Sequence, residues 1–242
     1  MQLKKIRRQH GVFVAEGEKI VSELPNSGFT VESIYATAGW LQQNLHKFSG
    51  ITQLTEVSER ELERVSGLKT PNRVLAVLKM PDTTAIPDIS PKGLYLILDT
   101  VQDPGNLGTI IRTADWFGIN QVICSPDTAD VFSPKVVQAT MGSFLRVKVT
   151  YTELNPFLEK APHTTPIYGA FLKGESLFET ETPGYGVLII GNESKGISRG
   201  VSTFVKKKVR IHGGYQPGGQ QWADSLNASV AAAIMMAWFT KK

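Results

Sequence analysis

94-LYLILDTVQDPGNLGTIIRTADWFG-118 is the stretch on which the fold turns. Its first part, "LYLILD", is a continuous apolar run of the kind that makes a buried strand. A small polar loop bearing glycine follows, and a helix is predicted after Asn106. On that helix Ile110, Ile111, Ala114, Trp116 and Phe117 take core spacing, which leaves Arg112 as a lone cation in an apolar segment. Judged locally, Arg112 either pairs with a helix-terminal acid such as Asp115 or does chemistry.

The strand, loop, helix pattern then repeats to the end of the chain. "QVICS" leads to a helix opened by Ser133 and Pro134, then "RVKVTY", a helical "LNPFLEKA", "PIYGAF", "GVLIIG", a short helix after Ser198, "KVRIH" and a last helix from Ser225 to Phe239. Continuous apolar strands separated by helices predict a parallel sheet covered on both faces, an α/β domain. Ligands of such sheets sit beyond the carboxyl ends of the strands. That rule marks three loops: "DTVQDPGNLG", "GNESKG" and "HGGYQPGGQQWADSLN".

Upstream, from Gly11 to Met80, short apolar runs ("VFVA", "SIYA", "RVLAVLKM") alternate with helical segments such as "SERELERVSG", where Ser58 and Glu61 have capping-box spacing. This predicts a smaller N-terminal α/β domain over residues 1–80. "MPDTTAIPDISPKG", with Pro81, Pro87 and Pro91, can neither continue a helix nor sit in a central strand. It reads as a linker over 81–93, leaving 94–242 as the larger domain.

With 242 residues, 41% of them hydrophobic, the chain can build a sizeable core. No apolar run approaches the ~20 residues of a membrane span. The opening "MQLKKIRRQHG" lacks the apolar segment of a secretion signal. The one cysteine, Cys124, lies in an apolar run and reads as core. A soluble, cytoplasmic protein is expected. The net charge of +4 is concentrated in clusters: Lys4, Lys5, Arg7 and Arg8; Lys206, Lys207, Lys208 and Arg210; Lys241 and Lys242. Such clusters fit a nucleic-acid backbone and equally fit solvated faces.

Two phosphate-cradling motifs can be set aside. "GNESKG" has the glycine spacing of a P-loop, but Ile197 and Ser198 stand where Lys and Ser/Thr are needed. "PGNLG" lacks the G-x-G-x-x-G of a dinucleotide site. His10, His46, His163 and His212 are too scattered for a metal pattern, so no metal is expected. What remains is a polar set at loop-to-helix junctions: Asn106, Arg112, Asn192, Glu193, Ser225 and Asn227. Asn106 and Ser225 also read as helix caps, and Glu193 as a solvated acid.

Taken together, N-x-G-x-x-x-R at Asn106, Gly108 and Arg112, G-N-E-x-x-G from Gly191 to Gly196, and S-L-N-x-S from Ser225 to Ser229 occur in an order, and with gaps, that resemble the SpoU (TrmH) family of RNA ribose 2′-O-methyltransferases in the SPOUT class. The resemblance runs from Leu94 to the C-terminus. "RRQHGVFVAEGEKIV" and "LKTPNRVLAVLKMP" resemble the substrate-binding domain that many members carry.

The resemblance implies a trefoil knot, against the general rule that chains do not thread loops, and a homodimer formed by knot-side helices. It implies S-adenosylmethionine held by Thr140, Met141, Gly142, Gly191, Asn192, Ile211, Leu226 and Asn227. It implies catalysis by Arg112, Asn106, Glu193, Ser225 and Asn227, and RNA gripped by an N-terminal domain with Lys4, Lys5, Arg7 and Arg8. Ribosomal RNA is favoured over transfer RNA by the type of auxiliary domain. Because a guanidinium keeps its proton throughout the physiological range and is a poor base, the expected role of Arg112 is to bind the adjacent phosphate and stabilise a developing alkoxide.

Three departures from the family pattern stand out. His212 and Gly213 replace a usual Pro-Met after a strand ending in Ile211, the loop onward to Ser225 is several residues longer than usual, and Ala228 replaces a common valine. The long loop leaves an alternative open, a non-catalytic RNA-binding protein with a decayed cofactor site. A dinucleotide-dependent oxidoreductase is disfavoured by the missing phosphate fingerprint.

Overall fold

A computed structural model describes residues 3–48, 53–68, 70–213 and 224–241. The N-terminal part runs α1 (Lys4–His10), β1 (Val12–Glu16), α2 (Glu18–Glu23), β2 (Val31–Ala36), α3 (Ala38–Asn44), β3 (Leu54–Glu56), α4 (Glu59–Val65) and β4 (Val74–Lys79). It continues with β5 (Leu94–Leu98), α5 (Pro104–Trp116), β6 (Gln121–Cys124), α6 (Pro134–Thr140), β7 (Lys148–Tyr151) and α7 (Leu154–Glu159). The chain finishes with β8 (Ile167–Ser176), β9 (Gly186–Ile190), α8 (Arg199–Ser202), β10 (Lys207–Arg210) and α9 (Ala228–Phe239). Chain contacts divide it into two units, one of Met1–Asp82 with Asp130–Arg146, the other of Thr83–Ala129 with Val147–Lys242.

In the first unit a four-stranded sheet has the order β1-β4-β2-β3, with β4 antiparallel to both of its neighbours and β2 parallel to β3. Helix α4 starts with the full capping box: Ser58 accepts from the Glu61 amide while the Glu61 carboxylate accepts from the Ser58 amide. The division falls inside the proline-bearing stretch 81–93. Segment Asp130–Arg146, expected in the larger C-terminal domain, belongs to the first unit. The physical reason is aromatic: the Phe132 and Phe144 rings lie 4.5 and 5.8 Å from the ring of the fully buried Phe13.

That segment also corrects one member of the expected RNA-binding cluster. Arg7 is 1% exposed, and its guanidinium donates to the Asp130 carboxylate, so it is a structural ion pair rather than a surface cation. Lys4, Lys5 and Arg8 remain exposed on α1.

The second unit holds a six-stranded sheet of order β10-β8-β9-β5-β6-β7, in which every pairing is parallel. Its central strands β5 and β9 are apolar throughout because both faces are covered. One face packs Ile97, Ile123 and Ile189 against Phe157 and Val201 of α7 and α8. On α9, Trp238 and Phe239 stack edge-on against Tyr168 of β8, and the helix also touches β9 and α5.

Several boundaries differ from the expected ones. Helix α5 begins at Pro104, with Asp103 as its cap, so Asn106 lies in the first turn and is not the cap. Trp116, expected in the core, is 85% exposed. Helix α9 begins at Ala228 with Asn227 as its cap, so Ser225 precedes the helix and does not cap it. Strand β10 ends at Arg210, leaving Ile211 just beyond it. Among the described residues no helix is long and apolar enough to cross a membrane.

Candidate active site

The candidate site is built at the carboxyl ends of β5 and β9 in the second unit. The first loop leaves β5 through Asp99, buried at 4% exposure, and Thr100, whose φ of 61° lies in the left-handed region that a β-branched residue rarely adopts. Neighbouring polar groups hold Thr100 there. Its amide donates to Ser125 Oγ at 2.8 Å, and its carbonyl accepts from Asn192 Nδ2 at 2.9 Å. Asp99 Oδ2 accepts from the Ser198 amide at 2.7 Å. Thus two adjacent residues after β5 grip both ends of the loop that follows β9.

Within that second loop Asn192 acts as an internal brace. Its Oδ1 accepts from the amides of Ser194 and Lys195, each at 3.0 Å, and its backbone pairs reciprocally with Gly196. Gly191 is required by this closure, since a Cβ there would stand 2.3 Å from the Gly196 carbonyl carbon and the Ile197 nitrogen. Gly191 and Asn192, expected at the cofactor, therefore also have defined structural duties. The brace leaves Glu193 projecting and exposed.

Glu193 meets the first turn of α5. Asp103 caps that helix by accepting from the Asn106 amide at 2.7 Å, with Pro104 occupying the first-turn position that needs no N–H. The Asn106 side chain is thereby free to reach outward. Its Nδ2 donates to Glu193 Oε1 at 2.7 Å, and its Oδ1 accepts from Asn227 Nδ2 at 2.9 Å. Asn227 Oδ1 in turn caps α9, accepting from Ser229 N at 2.9 Å and Ser229 Oγ at 2.6 Å. Both carboxamides have a donor on one side and an acceptor on the other, which fixes their orientation. One chain of hydrogen bonds, Glu193–Asn106–Asn227, therefore joins all three marked loops.

The remaining expected residues stand apart from this chain. Arg112 is exposed on α5, displaced from Asn106 by about 9 Å along the helix axis and roughly 120° around it. Ser225 and Leu226 are exposed just before α9, with Leu226 at 46%, and Ile211 is half-buried. Thr140, Met141 and Gly142 belong to the first unit. There Thr140 is buried with its hydroxyl on the Val137 carbonyl, while Met141 and Gly142 turn the chain with φ of 51° and 97°. Of the long loop after Ile211, residues 214–223 lie outside the described residues. Among the described residues there is no group of three His, Cys, Asp or Glu that could hold a metal ion.

Sequence reasoning did not single out Asp99, Thr100, Ser125 or Ser198 as parts of the site. Asp103 ahead of Pro104 carried a usable signal, the cap-then-proline signature of a helix start. Nothing in the sequence foretells the left-handed Thr100.

Comparison with known proteins adds independent findings. A model of the SpoU rRNA Methylase family matches residues 93–237, and a model of the MRM3-like substrate binding domain matches residues 1–76. The 23S rRNA (guanosine(2553)-2′-O)-methyltransferase RlmP of Bacillus subtilis (strain 168) is 31% identical over 241 residues, covering 98% of this chain and 91% of that protein. An AdoMet-bound rRNA methyltransferase from Sinorhizobium meliloti superposes with a TM-score of 0.85 at 28% identity, covering 98% of this chain and 90% of its own. The SpoU methyltransferase AviRb from Streptomyces viridochromogenes, in complex with AdoMet, gives a TM-score of 0.83 at 25% identity, covering 98% and 92%. With three motif loops joined by one hydrogen-bond chain and the family model matched over more than half its length, this chain belongs to the SpoU rRNA methylase family.

Proposed function

We propose that this protein transfers the methyl group of S-adenosylmethionine to a ribose 2′-hydroxyl of ribosomal RNA. The observation that carries this is the Glu193–Asn106–Asn227 chain, which ties the three motif loops into one polar floor at the carboxyl ends of the strands. The relative from Bacillus subtilis is named for the same reaction, and two structural relatives are described with AdoMet bound.

The donor set fits such a cofactor. Leu226 and Ile211 offer apolar surface for an adenine, and the main chain of residues 224–227 lies outside any helix or strand. Gly191, Asn192 and Asn227 contribute backbone groups from the second and third motif loops. When bound, S-adenosylmethionine supplies a methyl carbon made electrophilic by its sulfonium. The chain's own task is to align the ribose oxygen and stabilise it as its proton leaves. Arg112 binds the phosphate next to the target ribose and stabilises the developing alkoxide. Asn106, locked by Glu193 and Asn227, orients that ribose, and Ser225 closes the third side. A required 2′-hydroxyl selects RNA over DNA.

Two further family features belong to the same proposal. The C-terminal segment passes through a trefoil knot, supported by the return of the chain from edge strand β10 to α9, which packs on the interior strand β9. The protein forms a homodimer through the adjacent helices α5 and α9, supported by the exposure of Trp116 at 85% and Val230 at 47%. Lys4, Lys5 and Arg8 of α1 grip RNA in the N-terminal domain, and the setting is the cytoplasm.

The test is transfer of tritium from labelled S-adenosylmethionine to unmodified ribosomal RNA. Label in ribose 2′-O positions, lost in Arg112→Ala while cofactor binding persists, is the expected result. Absence of both transfer and cofactor binding overturns the proposal.

A further inference from the structure

The basic cluster near the end of the chain is not one surface. Lys206 donates to the Thr165 carbonyl at 2.7 Å and to the His163 carbonyl, so it fastens a loop. Arg210 is half-buried. Lys207 and Lys208 are exposed on β10, the edge strand of the six-stranded sheet, and as successive residues they leave it on opposite faces, Lys207 on the side of Tyr168 and α9 and Lys208 on the side of Phe171.

Opposite them β8 departs from regular pairing. Its partners run Tyr168↔Lys207 and Gly169↔Lys208, then jump to Glu175↔Val209 and Ser176↔Arg210. Ala170 to Gly174, "AFLKG", therefore bulge out with no partner in β10. The bulge is seated on Lys208. A Cβ on Gly174 would stand 2.4 Å from the Lys208 carbonyl oxygen, and the Lys208 ammonium lies 5.0 Å above the Phe171 ring centre.

Position gives this bulge its meaning. β8 pairs with β9 from Ile167↔Val187 to Gly169↔Ile189 and no further, so the bulge follows at the carboxyl end of β9, the end from which the Glu193 loop departs. A Cβ at Gly169 would lie 3.0 Å from Ile197 Cδ1 at the far side of that loop. What the bulge presents is unusual for a sheet edge: Lys173 is exposed, Leu172 is 74% exposed, and Phe178, just past the strand, is 71% exposed. Lysines alone are a common guard against edge-to-edge pairing of strands. Exposed Leu and Phe beside them defeat that purpose, whereas cations interleaved with apolar and aromatic side chains suit a single-stranded nucleic acid, phosphates on the cations and bases on the flat groups. Two exposed acids, Glu175 and Glu179, flank these residues in sequence, and one carboxylate oxygen of Glu175 accepts from the Thr180 hydroxyl at 3.4 Å.

We propose that the β8 bulge and β10, through Lys173, Lys208, Leu172 and Phe178, form a second RNA-contacting surface that holds single-stranded RNA flanking the target nucleotide. This rests on the RNA-methyltransferase reading but is tested separately from it. Its bases lie on Phe178 and Leu172, and its phosphates lie against Lys173 and Lys208.

The experiment measures binding of a fluorescein-labelled oligouridylate of about 20 nucleotides to the full chain across a salt series, long enough to span a typical single-strand site. The variants are Lys173→Gln/Lys208→Gln together, and Leu172→Ala/Phe178→Ala together. Replacing two phosphate contacts is expected to flatten the slope of log K against log salt by about 1.4. The apolar pair is expected to weaken binding roughly fivefold or more with the slope unchanged. Circular dichroism and cofactor binding, both expected to match the parent, separate this from misfolding. An unchanged slope and affinity in the lysine variant overturns the surface and leaves the lysines as edge guards. Absence of oligouridylate binding by the parent protein also overturns it. Methyl transfer, scored independently, decides the catalytic reading.

Discussion

Asp99 and Ser198 stand 99 positions apart in the chain and share one hydrogen bond of 2.7 Å, from the Ser198 amide to the Asp99 carboxylate. With the Asn192-to-Thr100 contact it closes the Glu193 loop at both ends. Replacing Asp99 by Ala strips that amide of its acceptor and is expected to cost about 1–3 kcal/mol. Asp99→Asn, which keeps a carbonyl oxygen, restores most of the loss. Urea denaturation of the two variants provides the comparison.

Thr100 pays a steric penalty for its φ of 61°. Glycine removes that penalty and adds backbone entropy in the unfolded chain, two effects of about 1 kcal/mol and opposite sign. Thr100→Gly is therefore expected to stay within about 1 kcal/mol of the parent and to keep methyl transfer. Thr100→Pro forces φ near −65° and deletes the N–H bonded to Ser125. Transfer is expected to fall tenfold or more, and retained activity in this variant would contradict the role given to the Thr100 carbonyl.

Asn106→Asp sets a second carboxylate against Glu193, whose Oε1 is 2.7 Å from the present amide nitrogen. Like charges this close raise the affinity of the pair for a proton. The variant is expected to lose tenfold or more in kcat/KM near neutral pH and to recover in part as pH falls and one proton is shared. A pH–rate profile parallel to that of the parent would exclude coupling between the two positions.

Asn227→Ala removes both the α9 cap and the donor to Asn106. Loss of an N-cap of this kind costs about 1 kcal/mol. Asn227→Ser restores capping but is too short to reach Asn106. Recovery of thermal stability without recovery of transfer would separate the two duties.

Asp130→Ala leaves Arg7 buried without its carboxylate and is expected to destabilise the protein by about 3 kcal/mol or more. Arg8→Ala, on the exposed side of the same helix, is expected to leave the unfolding midpoint in place while weakening RNA binding. Chemical denaturation and RNA binding of the pair distinguish the buried cation from its surface neighbour.

Much of the second unit is legible in the linear sequence because its strands are buried on both faces. Burial of that kind forces unbroken apolar runs such as "LYLIL" and "GVLII", and a parallel sheet with loops at its carboxyl ends follows from them. The three motif loops were visible for the same reason, each directly after a strand. Ser58 and Glu61 declared a helix start because a capping box is a contact between residues three apart.

Contacts between distant residues were not legible. Nothing near Arg7 in sequence marks it as buried, since Asp130 lies 123 positions away; only the folded chain separates Arg7 from Lys4, Lys5 and Arg8. Trp116 has core spacing, yet its helix turns it outward. Asn106 had good credentials as a cap until Asp103 took that task and freed its side chain for Glu193 and Asn227. Sequence periodicity reports how each segment meets water, and so it determined the strands, the helices and the loops that matter. Which side chains in those loops meet one another is decided by long-range packing, and that appears only when the strands are laid side by side.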